Sequence, residues 1–237
     1  MIYDLLMSLR DGAELRDILP GILFTIIVVL FSLSLHEMSH GYVAYKMGDH
    51  TARNLGRLTL NPSVHLDPIG TICMLFFGFG WAKPVPINTR NFKNPRKGIL
   101  LTAIAGPVSN LLLSFISLLV FALIVSFVPT PTFIEADTAF GEKLLYFFVE
   151  LLRYFHILNL YLAVFNLLPI PPLDGSKVLF MFLPAKIYFF VSRYEHIISI
   201  VLLALLYLGV LSMPITFICA YISEGMIWLI SLIPGVL

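Results

Sequence analysis

The sequence predicts an all-α polytopic membrane protein of about four to six transmembrane helices, with a small membrane-associated β-hairpin or re-entrant element. Three observations carry this. Of 237 residues, 59% are hydrophobic and 12% charged, which is about half the charge of an ordinary soluble domain. Apolar runs recur between short polar stretches, and each is long enough to cross a hydrocarbon core of about 30 Å. One apolar stretch, residues 66–82, is instead short and glycine-rich, with basic sequence on both sides. The net charge of +1 implies no nucleic-acid partner; the lipid bilayer is the expected one.

Residues 1–18 carry Asp4, Asp11, Glu14 and Asp17 against Arg10 and Arg16. A cleaved signal peptide starts with a basic region, so this segment is expected to be a short interfacial helix. The first span runs from about Leu19 to Tyr45, and the second from about Ile99 to Val128. A third covers about Leu144 to Leu168. It is broken by the run Pro169-Ile170-Pro171-Pro172-Leu173-Asp174-Gly175. A shorter apolar piece, 178–191, follows, then a last span from about Ile197 to Ile222 and an interfacial tail over 223–237. Within the element at 55–90, Arg57–Asn61 and Lys83–Ile87 are expected as short extended strands, and the prolines of the second suit an edge. The whole reads as one domain, 1–237.

Basic residues mark the cytoplasmic side of a membrane protein. Segment 46–97 holds Lys46, Arg53, Arg57, Lys83, Arg90, Lys93, Arg96 and Lys97 against Asp49 and Asp67. The N-terminal segment and the connector 129–143 are acid-rich instead. The expected arrangement puts the end of the first span and its polar groups toward the cytoplasm.

That end reads His36-Glu37-Met38-Ser39-His40, an H-E-x-x-H pattern. On a helix the two histidines at i and i+4 share one face and can bind a single metal. The glutamate between them is placed as the general base of zinc hydrolysis. Ionisable groups in an apolar span are costly, so they mark a functional site. A catalytic zinc has three protein ligands, and the candidates for the third are Asp67, Glu150, His156, Asp174, Glu195 and His196. Asp174 is the best of these, because a helix break at membrane depth lets its side chain turn inward. Gly175 beside it permits close backbone approach. His50, His156 and His196 read as interfacial or hydrogen-bonded, and Glu150 with Arg153 as an i, i+3 pair. Cys73 and Cys219 have no metal or disulfide spacing and read as buried hydrophobes.

Three motifs stand in order along the chain: His36 to Gly41, Gly106-Pro107-Val108-Ser109-Asn110, and Asn166 to Gly175. Together they resemble the signatures of the site-2 protease family of intramembrane zinc metalloproteases, the M50 peptidases. The resemblance covers about residues 20–190. Segments 56–62 and 81–86 also resemble that family's membrane-associated hairpin. The chain resembles a compact member, without a PDZ or CBS domain. The resemblance implies one Zn2+ per chain on His36, His40 and Asp174, with Glu37 catalytic. It implies substrate or oxyanion contacts for Asn110 and Asn166, and His65 lies in a region that could approach the site. It further implies cleavage of transmembrane protein substrates in a prokaryotic plasma membrane. An inactive protease-like scaffold and a zinc transporter are the alternatives; oligomeric state is open.

Overall fold

The computed structural model describes residues 15–77, 80–128 and 139–236. The calls for an interfacial helix at 1–18 and an acidic connector at 129–143 therefore fall largely outside the described residues. The chain divides into two compact units, Met1–Gly106 and Pro107–Leu237, and each is taken by itself.

The first unit is built on α1, Leu15–Met47. Its 33 residues rise about 50 Å, longer than the hydrocarbon core, so a polar end projects beyond it. A short helix α2, Thr51–Asn54, follows. After it comes α3, Pro68–Phe77, whose ten residues are too few to span a bilayer. The unit closes with the start of α4, Pro95–Phe127, and the unit boundary falls inside this helix. Asn94 caps α4, its side-chain oxygen accepting the Lys97 N–H at 3.2 Å.

Asp49 ties this unit together just beyond α1. Its fully buried carboxylate accepts the N–H and hydroxyl of Thr51, the N–H of Asn88 and the side-chain amide of Asn91. Lys93 N–H adds a bond to the Met47 carbonyl at 3.0 Å. The loop 88–93 is thereby fastened to the end of the helix that carries the histidines. Burial alone raises the Asp49 pKa; the hydrogen bonds from Thr51, Asn88 and Asn91 outweigh it and hold the group below its ordinary value.

The expected β-hairpin is not formed. Among the described residues the element at 55–90 has one antiparallel bridge, Leu66 with Ala82, which lies outside the expected strands 57–61 and 83–87. The reason is where the backbone groups go. Pro84 and Pro86 have no N–H to give a ladder. The carbonyls of Lys83 and Pro84 accept from the Arg57 side chain, and the Val85 N–H goes to Glu37. Side chains have taken the places of strand partners.

The second unit holds the rest of α4, then α5, Phe140–Asn166; α6, Asp174–Phe180; α7, Ala185–Arg193; α8, Glu195–Tyr207; and α9, Ser212–Ser231. The core joins Leu160 and Val164 of α5 to Ile215, Cys219 and Met226 of α9. Cys219 is buried as expected, and Cys73 is half-buried. A polar tie runs through the same helices. Ser114 donates its hydroxyl to the His156 carbonyl at 2.9 Å, and the His156 ring meets Ser114 Oγ at 2.9 Å and Ser223 Oγ at 3.0 Å. Glu150 and Arg153 pair at 2.8 Å.

The last span differs from expectation. Residues 197–222 are two helices, broken at Gly209, whose φ is +73°. The N–H groups of Gly209 and Val210 return to the carbonyls of Leu206 and Leu205, the paired bonds of a Schellman end. The spanning candidates are therefore Ile18–Met47, α4, α5 and α9.

Candidate metal centre

His36 and His40 lie one turn apart on α1, and both are buried, at 5% and 6% exposure. Their rings stand nearly perpendicular at 83°, and the two Nε2 atoms are 3.0 Å apart. Two ligands of a tetrahedral zinc at about 2.0–2.1 Å lie about 3.3 Å from one another, so the spacing suits one ion. The tautomer is set by α4. His40 Nδ1 lies 2.6 Å from the Thr102 carbonyl, which only accepts, so the ring proton is on Nδ1. His40 Nε2 is then a lone pair facing His36. A carbonyl behind a histidine is how a metal-binding imidazole is oriented.

Gly106 completes the pocket. A Cβ built there would stand 2.4 Å from His40 Nε2 and 2.5 Å from His36 Nε2. The space in front of both nitrogens exists because position 106 has no side chain. Two convergent imidazoles, one of fixed tautomer, and a cradle that a methyl group would fill together fit a metal ion.

Glu37 sits between the histidines in sequence and is half-buried. Its Oε2 accepts the Val85 N–H at 2.9 Å. His65 is 1% exposed and bonds through Nε2 to the Thr59 carbonyl at 2.8 Å, while its own carbonyl accepts the Lys83 N–H. In this unit its bonds are those of a brace for segment 83–86.

Asp174, Asn110 and Asn166 belong to the second unit. Asp174 opens α6, is 6% exposed, and takes Lys177 Nζ on Oδ1 at 2.8 Å. Gly175 does allow close approach: a Cβ there would lie 2.2 Å from the Leu167 carbonyl. The backbone is thus folded back on the end of α5. Asn110 is fully buried in α4. Asn166 ends α5 and donates its amide to the Leu162 carbonyl at 2.9 Å, one turn back on its own helix.

Sequence reasoning missed Thr102, whose contribution is a backbone atom, and Lys177, which engages Asp174 from one turn along its own helix. It quoted Gly106 inside a motif without seeing the cradle.

Comparison with known proteins fits this geometry. Residues 24–209 match the description "Peptidase family M50". The chain is 48% identical over 163 residues to "Putative zinc metalloprotease YwhC" of Bacillus subtilis, covering 69% of each chain. It is 33% identical over 156 residues to "Putative zinc metalloprotease Rip2" of Mycobacterium tuberculosis, covering 63% of this chain and 53% of that one. With "Zinc metalloprotease MJ0392" of Methanocaldococcus jannaschii it shares 31% over 205 residues, 86% of this chain and 47% of the relative. It thus spans about half the length of those last two. No solved structure matches it.

Proposed function

The chain belongs to peptidase family M50 and is a zinc metalloprotease, and on that premise we propose that it cuts membrane-protein substrates in or near their transmembrane segments. The reading extends to a single protease domain whose site opens toward the cytoplasm from a prokaryotic plasma membrane. The observation that carries it is the histidine pair on α1, one ring of fixed tautomer, with a carboxylate between them in sequence. The basic 46–97 segment supports the orientation. Among the described residues, four helices long and apolar enough to cross a membrane support a substrate met within the bilayer.

His36, His40 and Asp174 would hold the zinc. When bound, it lowers the pKa of a water toward about 7 and polarises a carbonyl as a Lewis acid. Glu37 then accepts the proton of the attacking water and later passes it to the leaving amine. Its Oε2 already takes the Val85 N–H, so that oxygen is fixed in direction. Asn110 and Asn166 are neutral amides, which can donate to a developing oxyanion without adding charge. Lys177 engages Asp174 Oδ1 and restricts how that carboxylate turns.

The test is cleavage of a purified single-span reporter by wild type and Glu37→Gln, with zinc measured in both. Zinc in both and cleavage by wild type alone is the expected result. Cleavage by Glu37→Gln would overturn the assignment of Glu37 as base. Zinc in both without cleavage in either would bring back the scaffold and transporter alternatives, which the family membership disfavours.

A further inference from the structure

Between Lys83 and Ile87 the backbone carries a single N–H, on Val85, because Pro84 and Pro86 have none. That N–H donates to Glu37 Oε2 at 2.9 Å. The peptide plane it belongs to is gripped on its other edge. In a trans peptide the N–H and the preceding carbonyl point in opposite directions. The Pro84 carbonyl accepts Arg57 Nη2 at 3.2 Å, and the Lys83 carbonyl accepts the same nitrogen at 2.7 Å. Lys83 N–H is held by the His65 carbonyl at 2.7 Å, and the His65 ring is held by Thr59. One peptide unit is therefore pinned between a guanidinium and the carboxylate of the base.

Arg57 is 8% exposed, and its partners among the described residues are those two carbonyls. Burying a guanidinium is costly, and two neutral acceptors offset that cost less well than a carboxylate does. Holding the segment in place would be served more cheaply by strand pairing. What strand pairing would not do is leave the Val85 N–H for Glu37. We propose that Arg57 is a positioning residue for the reaction: through the Pro84–Val85 peptide plane it sets the direction of the Glu37 carboxylate. The planar, permanently charged fork of arginine suits a fixed geometry in a way that a flexible ammonium does not. The proposal rests on the reading of Glu37 as general base.

The test uses the full chain in detergent, with zinc content, kcat and KM on the reporter, and hydrogen exchange of a peptide covering 83–87. Since the prolines carry no N–H, the amides that this peptide reports are Val85 and Ile87, and a peptide ending at Pro86 isolates Val85. In Arg57→Met we expect wild-type zinc and KM within about twofold, with kcat lower by about 10–100-fold, the cost of a misplaced catalytic group. Val85 exchange should accelerate in Arg57→Met and in Glu37→Ala. It should stay slow in Glu37→Gln, whose side-chain oxygen still accepts. Arg57→Lys should recover part of kcat and part of the protection, and it carries the test if Arg57→Met does not fold. Wild-type kcat in Arg57→Met, or unchanged Val85 protection in Glu37→Ala, would overturn the proposal. If zinc-loaded wild type cuts no reporter, the protease reading fails. The exchange arm still decides: dependence of Val85 protection on both Arg57 and Glu37 supports the link, and independence of either removes it.

Discussion

The carbonyl of Thr102 decides where the His40 proton sits. The cradle beside it depends on the absence of an atom. Gly106→Ala would put a methyl carbon within 2.5 Å of both Nε2 atoms and force one ring to turn. Its zinc affinity should fall by about 10–100-fold, as for other losses of ligand orientation; metal content after dialysis against a graded chelator measures this. Glu37→Gln should keep zinc and lower kcat by about 10²–10⁴, the range for loss of a general base. Asp174→Ala should lose both zinc and cleavage. Normal zinc retention in that variant would place the third ligand elsewhere. His36 and His40 were legible as a pair because H-E-x-x-H encodes its own geometry: i and i+4 on a helix must share a face. Val85 was not legible as the partner of Glu37, nor Arg57 as the group on the far edge of its peptide. Nothing in local periodicity links Glu37 to an amide 48 positions on.

At the scale of elements, three long helices came directly from hydropathy, since an apolar run of that length has little choice but to span. The misplaced elements are those where side chains compete with backbone pairing. Short extended strands were expected at 57–61 and 83–87, with prolines suiting an edge, yet Arg57 and Glu37 claim the groups that a ladder would use. Hydropathy could not see the break at Gly209 either, because the turn is as apolar as the helices it joins. The end of α1 is secured by Asp49, and this has a pH consequence. Its folded pKa is depressed, so its contribution is complete above the ordinary carboxylate value of about 3.9 and is lost as pH falls through the lower folded value. Thermal stability in detergent should therefore drop below about pH 4, and Asp49→Asn should flatten that part of the curve. At neutral pH, Asp49→Ala should cost about 1.5–3 kcal/mol, because several donors lose one charged acceptor at once.

For the whole molecule, the proposed function requires a spanning substrate to give up a peptide bond. A helix hides its amides in i→i−4 bonds, so it must unwind to be cut. Substrates with Gly or Pro near the cut should be cleaved faster, and a reporter rebuilt as a continuous leucine helix should be cleaved more slowly. Equal rates for the two would exclude unwinding as a requirement. The surface of the first unit adds a constraint of another kind. Lys46, Arg53, Lys83, Arg90, Lys93, Arg96 and Lys97 are all exposed, while Asp49 is turned fully inward. Basic charge of this kind attracts anionic headgroups and repels cationic segments, so cleavage of a reporter with a basic juxtamembrane stretch is expected to depend on salt and on anionic lipid. Equal cleavage of that reporter in neutral and anionic vesicles would show that the exposed basic residues of the first unit play no part in which segments approach it.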